Sequence, residues 1–147
     1  MKMESAPNRP LIGVGVVVWK GEKVLLIRRG KLPMRGRWSL PGGRQELGET
    51  VRETAVREVK EETAVDIRVG ALIEVLDAIY REKDGTISTQ YTLVDFDADW
   101  LFGDLEAGDD ADHAEWVNID DLPGYDLWEE TLRVITLSRA QRALDQS

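Results

Sequence analysis

Two helix-forming segments, set apart by long runs of strand-forming residues, constrain the fold of this chain more than any other feature. Residues 49–63 are rich in helix formers and free of Gly and Pro, and residues 126–144 show an amphipathic helical pattern. The stretches before and between them are rich in β-branched and apolar residues. Helices and strands mixed in this way pack as layers around one core. The sequence therefore predicts the α/β class, as a sandwich with one mixed sheet.

Turn signals divide the strand-forming residues into separate strands. Asp84-Gly85 is a favoured hairpin dipeptide, and Lys20 to Lys23 forms a polar break around Gly21. Pro41-Gly42-Gly43 is predicted to interrupt secondary structure and end a strand, and residues 28–37 are predicted to form a loop. Asp126 and Glu129 are spaced as the capping box of the second helix. The predicted strands are residues 11–19, 24–27, 38–40, 67–80, 86–96 and 114–119.

The composition excludes several kinds of protein and site. A chain of 147 residues normally forms one domain, here predicted over residues 11–147 after a loose arm at 1–10. With no Cys and with His113 as the only His, a metal must be bound by oxygen. The net charge of −9 argues against binding of extended nucleic acid or of an anionic membrane. The longest apolar run is too short to span a bilayer, and no secretion signal is evident. We therefore expect a cytoplasmic protein.

The charges are unevenly distributed. Fifteen acidic residues and no Lys or Arg lie between Asp84 and Leu132, whereas basic residues cluster before Trp38. One interpretation is two solvated surfaces of opposite sign, and the other is that the basic stretch faces an anionic ligand. The basic residues are Lys20, Lys23, Arg28, Arg29, Lys31, Arg35 and Arg37.

Three carboxylates share one side of the first predicted helix. Glu58, Glu61 and Glu62 lie within an arc about 100° wide, beside the apolar stripe. Packed like charges destabilise a helix, and a hard divalent cation such as Mg²⁺ would neutralise them. On the helix alone, a solvated charged face remains the alternative. The predicted stripe is Val51, Ala55, Val56 and Val59, and Arg57 is predicted to pair with Glu53 and Glu61.

The sequence around the helix resembles the Nudix box of the Nudix hydrolases, G-x5-E-x7-R-E-U-x-E-E-x-G-U with U aliphatic. Gly43 to Val65 matches eight of the nine specified positions, and the preceding Leu40-Pro41-Gly42 is also typical of that family. The departure is Ala64, where the pattern has Gly. Since Gly there usually adopts a left-handed backbone, which costs Ala about 1 kcal/mol, we interpret Ala64 as a change in how the helix ends. The matching residues are Gly43, Glu49, Arg57, Glu58, Val59, Glu61, Glu62 and Val65.

The resemblance implies a fold, a reaction and a set of roles. The implied fold is the Nudix α/β/α sandwich, and the implied reaction is Mg²⁺- or Mn²⁺-dependent hydrolysis of a diphosphate linkage in a nucleoside diphosphate joined to another group. The implied metal ligands are Glu58, Glu61, Glu62 and the Gly42 carbonyl. Arg57 would orient the cluster, with Glu49 and Gly43 in support.

The general base and the substrate contacts are left open. Relatives use either the acid at the position of Glu58 or one in a later loop, here residues 103–112, where Asp110 and Asp109 are the candidates. His113 beside them could contact substrate or act in proton transfer, although a single His in a loop is more often incidental. Candidate substrate contacts are Arg28, Arg29, Arg35, Arg37, Trp38 and Tyr80.

The resemblance does not fix the substrate. ADP-ribose or a related nucleotide sugar is the leading expectation, although the proline that marks ADP-ribose specificity is missing around Tyr80 to Glu82. The alternatives are a nucleoside triphosphate or dinucleoside polyphosphate hydrolase, and a non-catalytic nucleotide-sensing module. In each case the partner is a small nucleotide. Family members are often homodimers, and the sequence leaves the oligomeric state open.

Overall fold

The computed structural model describes residues 8–30, 36–108 and 111–145. The predicted arm at 1–10 lies mostly outside these ranges, as do Lys31, Arg35, Asp109 and Asp110. The described strands are β1 (Leu11–Lys20), β2 (Lys23–Arg29), β3 (Trp38–Ser39), β4 (Gly42–Arg44), β5 (Asp66–Arg81), β6 (Ile87–Phe102) and β7 (Ala111–Asn118). The helices are α1 (Val51–Thr63), a 3₁₀ helix (Ile119–Tyr125) and α2 (Glu129–Asp145).

The described strands form one mixed sheet, which confirms the predicted class. Its main path runs β3-β2-β1-β6-β5, while β4 pairs with β1 and β7 pairs with β2. Only β1 and β6 are parallel among the described pairs. Their register places Asp95 of β6 beside Gly15 of β1, and β4 places Gly42 on the other side of the same glycine.

Two hydrophobic layers bury the faces of this sheet. Alternate residues of β1 point to opposite faces, as strand geometry requires: Val14, Val16 and Val18 face one layer, and Val17 and Trp19 the other. Helix α1 covers the first face through Ala55 and Val59, and α2 covers the second through Val134 and Ile135. The result is a sandwich of helix, sheet and helix.

The second helix differs from its prediction. Residues 119–125 form a 3₁₀ helix, and Asp126 ends it with a left-handed backbone at φ 50°. A residue in that conformation cannot cap the following helix, because an N-cap residue needs an extended backbone. The predicted capping box of Asp126 and Glu129 was therefore wrong, and α2 begins at Glu129.

The segment Pro41-Gly42-Gly43 also differs from its prediction, because it was expected to interrupt secondary structure. Gly42 to Arg44 form strand β4, which pairs with Gly13, Val14 and Gly15 of β1. A Cβ at Gly42 would lie 2.0 Å from the Val14 carbonyl oxygen, so this close pairing requires glycine. Within the described residues, no helix is long and apolar enough to cross a membrane.

Candidate active site

Helix α1 is fixed at both ends. Thr50 caps its start: the threonine hydroxyl accepts from the Glu53 backbone, and the Glu53 carboxylate accepts from the Thr50 backbone. Ala64 ends it in the left-handed conformation, with φ 65°, and its N–H donates to the Lys60 carbonyl. The helix thus ends in the geometry that Gly would favour, and Ala64 adopts it in spite of its Cβ.

The three carboxylates of α1 differ in exposure. Glu62 is 2% exposed, Glu58 is half-buried and Glu61 is exposed, so the cluster lies at the border of the buried face as predicted. Val56 is 40% exposed, and its placement in the apolar stripe was wrong. Thr54, on the preceding turn, is fully buried and donates to Glu49 at 2.7 Å.

Arg57 joins two of these carboxylates, Glu58 and Glu61, to Glu49 of the preceding loop. Its guanidinium donates to both oxygens of Glu49, at 2.6 and 2.9 Å, and one of its nitrogens also donates to Glu58 and Glu61, at 2.8 and 3.2 Å. The hydrogen bonds from Arg57 are the main cause that lowers the pKa of Glu49 to about 2. The predicted partner Glu53 is engaged in the capping box instead, and Glu49 in the preceding loop takes its place.

Glu58 lies against a glycine. A Cβ on Gly43 would lie 2.2 Å from the Glu58 carboxyl carbon, so glycine leaves the room that this carboxylate occupies beside β4. Burial raises the pKa of Glu58, and its contact with Arg57 opposes that shift. A partly desolvated carboxylate of this kind favours a nearby cation.

Glu62 connects the cluster to a cavity. The Gly42 N–H donates to its carboxylate at 2.8 Å, and both residues line the cavity wall. The cavity has a volume of about 290 Å³ and lies between the sheet and the start of α2. The lining is Val14, Gly15, Ile27, Arg29, Arg37, Trp38, Ser39, Leu40, Gly42, Glu62, Leu76, Ala78, Tyr80, Tyr91, Leu93, Asp95, Trp128 and Thr131.

Some of the predicted substrate contacts line this cavity and others do not. Arg29, Arg37 and Trp38 line it, and so does Tyr80. Arg28 does not: its side chain pairs with Asp112 at 2.7 Å and stacks over the Trp38 ring. Arg28 and Arg29 are adjacent at an irregularity in the pairing of β2 with β7, and of the two only Arg29 lines the cavity.

His113 and Tyr125 pack against the Trp38 ring. The rings of His113 and Tyr125 meet its indole edge-on, with centroids at 5.7 and 5.1 Å. Glu115 accepts from Tyr125 at 2.6 Å, and this bond raises the pKa of Tyr125 to about 12. His113 also contacts Glu115. It lies in strand β7, and its predicted placement in a loop was wrong.

The acidic loop after β6 contacts the end of α1. The N–H groups of Glu106 and Gly108 donate to the carbonyls of Thr63 and Glu62, at 3.0 and 3.1 Å. These bonds hold residues 103–108 beside helix α1, which carries the Nudix-box carboxylates. The candidate base Asp110 lies outside the described residues, and its role stays a prediction.

Comparison with known proteins agrees with this geometry. The model of the NUDIX domain matches residues 9–137, most of the chain. The chain belongs to the Nudix family. An ADP-ribose pyrophosphatase of Methanocaldococcus jannaschii is 40% identical over 114 residues, which are 78% of this chain and 65% of that protein. The chain thus spans about two thirds of that relative's length.

Solved Nudix structures share the fold. The MutT NUDIX hydrolase of Burkholderia pseudomallei has a TM-score of 0.76 at 25% identity, over 88% of this chain and 98% of that one. The NUDIX domain of Shewanella oneidensis NrtR, solved with ADP ribose, has a TM-score of 0.72 at 23% identity, over 91% and 89%.

Helix α1 carries carboxylate oxygens, the type of ligand that Mg²⁺ prefers. Within the described ranges, no three acidic or His side chains converge on one point, because Glu58 and Glu61 contact Arg57 while Glu62 accepts from Gly42. Their carboxylates are nonetheless the oxygen donors of a hard cation, and the space beside Gly43 admits Glu58 without a clash. The residues present therefore fit a divalent metal ion.

Most of the cavity wall was not found from the sequence. Leu76, Ala78, Tyr91, Leu93 and Asp95 come from predicted strands, in which nothing marked them as functional. Trp128, which directly precedes α2, is 44% exposed and lines the cavity. Strand parity could have shown that Tyr91, Leu93 and Asp95 share a face, although not what that face meets.

Proposed function

We propose that this Nudix protein is a pyrophosphohydrolase that cleaves a diphosphate linkage in a small nucleotide, with the help of Mg²⁺ or Mn²⁺. The observation that carries the proposal is the continuity of the carboxylate cluster with the cavity. Glu62 and Gly42 belong to both, so a phosphate beside the box helix and a nucleoside in the cavity are parts of one site.

Each residue near this junction has a proposed task. Glu58, Glu61, Glu62 and the Gly42 carbonyl would hold the metal ion. Arg57 fixes the carboxylates through its hydrogen bonds, and Glu49 in turn fixes Arg57. Arg29 and Arg37 line the cavity and bring positive charge to substrate phosphates, for which the guanidinium fork is suited.

A bound divalent ion would neutralise phosphate oxygens and lower the pKa of a water molecule. The protein must also supply a base to accept the proton of the attacking water. Glu58 is the candidate among the described residues, because it is the box acid at the position that some relatives use and its carboxylate is half-buried. Asp110 is the alternative.

ADP-ribose is the first substrate to test. The archaeal relative named as an ADP-ribose pyrophosphatase supports it, and the cavity has aromatic side chains suited to stacking on a base. The panel should also contain other nucleotide sugars, dinucleoside polyphosphates, NADH and nucleoside triphosphates, including oxidised ones. Release of AMP and ribose 5-phosphate is the expected result with ADP-ribose.

The variants Glu61→Gln and Glu62→Gln test the site itself. Each should lower turnover by orders of magnitude while the protein stays folded, because one metal-binding charge is removed without loss of volume. Glu22→Gln, in the turn between β1 and β2, is the matched control and should retain wild-type turnover. Activity within a few-fold of wild type in both variants would contradict the proposal. Melting shifts with nucleotide but no product would favour a sensing module.

A further inference from the structure

The cavity contains a second acid that the carboxylate cluster does not explain. Asp95, in the middle of β6, is 6% exposed and lines the wall with Leu76, Ala78 and Leu93. Its carboxylate lies over Gly15, where a Cβ would come within 2.3 Å of Asp95 Oδ1. The backbone of β1 therefore leaves room for this one side chain, as β4 does for Glu58 at Gly43.

The Asp95 carboxylate faces the cavity and is not sealed from water. Among the described residues, no group donates a hydrogen bond to it. The charged groups around it are Glu74 of β5, Arg133 of α2 and, on the cavity wall, Glu62, Arg29 and Arg37. Glu74 and Arg133 pair with each other at 3.0 Å. Burial, and then Glu74, raise the pKa of Asp95 to about 6, so it is mostly ionised at neutral pH.

When a ligand fills the cavity and excludes water, this acceptor becomes costly unless the ligand supplies a donor. The register separates Asp95 from the metal-binding end: Gly42 and Asp95 flank Gly15 on β4 and β6. The Asp95 carboxylate itself lies over Gly15, about one strand spacing (roughly 5 Å) from Gly42. A nucleotide with its phosphates beyond Gly42, at Glu58 and Glu61, can thus extend its base towards Asp95. A second phosphate cannot occupy that place, because the carboxylate would repel it.

We propose that Asp95 is a specificity-determining residue, whose carboxylate accepts a hydrogen bond from the exocyclic amino group of a bound adenine. The inference rests on the proposed function, since it takes the substrate to be an adenine nucleotide. The apolar walls and the indoles of Trp38 and Trp128 pack against the flat base, and Asp95 reads its edge. A site built in this way discriminates against a base without the amino group, because the buried acceptor is then left unpaired.

The test compares two ligands that differ only in that group. AMP and purine riboside 5′-monophosphate are titrated with Mg²⁺ present, and binding is measured by tryptophan fluorescence, since Trp38 and Trp128 line the cavity. Wild-type protein should bind AMP about tenfold more tightly or better, as expected for a hydrogen bond to a charged group. Asp95→Val should bring the ratio of the two dissociation constants to within about twofold. Asp95→Asn, which retains an oxygen acceptor, should give an intermediate ratio.

Asp97→Asn is the matched control. Asp97 lies two residues along the same strand, is equally buried and does not line the cavity, since its carboxylate accepts from the Ala71 N–H at 2.8 Å. This variant should retain the wild-type ratio. Should Asp95→Val not fold, the isosteric Asp95→Asn still tests the inference, and an unchanged ratio there would contradict it.

Two further results separate the possibilities. If Asp95→Val changes the preference for AMP over 2′-deoxy-AMP instead, the acid contacts the ribose and the inference is wrong. If nucleotides are hydrolysed but Asp95→Val leaves the amino-group preference intact, this inference fails while the proposed function stands. If nothing on the panel is hydrolysed but the preference depends on Asp95, the proposed function fails alone.

Discussion

At Gly43, the absence of a side chain leaves room for the Glu58 carboxylate beside strand β4. The Glu58 carboxylate occupies the position that a Cβ would take. Gly15 has the same relation to Asp95 in the cavity. At both positions a glycine makes room for one acid, so the two acids depend on the backbone beneath them.

Gly43→Ala should therefore impair turnover more than stability. The carboxylate can rotate away from the new methyl group, which limits the cost in unfolding free energy to about 1 kcal/mol. A misplaced Glu58 should lower kcat by about tenfold or more, since small displacements in a catalytic site are costly. Gly124→Ala is the control, because nothing lies within 4 Å of its Cβ position. Urea unfolding and steady-state kinetics measure both effects, and unchanged kcat in Gly43→Ala would contradict the expectation.

Helix α1 shows how an element can end at a residue that does not favour its own conformation. Ala64 has φ 65°, the left-handed backbone for which the Nudix pattern has Gly. The cap N–H bond to Lys60 and the bonds from the loop at 103–108 hold the chain there. These hydrogen bonds therefore outweigh a local backbone preference of about 1 kcal/mol.

Replacing Ala64 should relieve this strain. Ala64→Gly is expected to raise the free energy of unfolding by about 0.5–1 kcal/mol, because the gain in backbone energy exceeds the entropy that Gly loses. The same substitution inside the helix, Ala55→Gly, should lower it by about 1 kcal/mol or more, since it also removes a buried methyl group. Urea midpoints at constant m-value report both. A destabilised Ala64→Gly protein would show that the alanine methyl group contributes packing that outweighs its strain.

At the scale of the molecule, the charge of −9 is the sum of separate regions. Part of the acidity lies in the box helix around Arg57, while Arg29 and Arg37 line the cavity. Net charge argues against extended nucleic acid, and it does not argue against a small nucleotide that arrives with its cations.

Mg²⁺ should stabilise the folded protein if the box carboxylates bind it. A ligand that binds only the native state raises Tm, by a few degrees for a domain of this size at saturation. The Tm with MgCl₂ is compared with that in NaCl of equal ionic strength, which controls for screening. The double variant Glu61→Gln/Glu62→Gln should lose most of the rise. An equal rise in both proteins would place the effect elsewhere.

Local patterns predicted the elements well, because their causes lie within a few residues. Helix α1 begins and ends close to its predicted bounds, and the hairpin at Asp84-Gly85 joins β5 and β6. The second helix was placed less well, because the left-handed backbone of Asp126 depends on the preceding 3₁₀ helix.

The sequence by itself determined the family, the box carboxylates and the mixed α/β architecture, since these follow from spacing along the chain. Only the tertiary structure decided that Glu49 pairs with Arg57, that Arg28 and Arg29 separate, and that Asp95 lines the cavity. The physical reason is register: the parallel pairing of β1 and β6 joins residues about 80 positions apart, and no local pattern records which strand lies beside which. A side chain acquires its surroundings only when those strands meet.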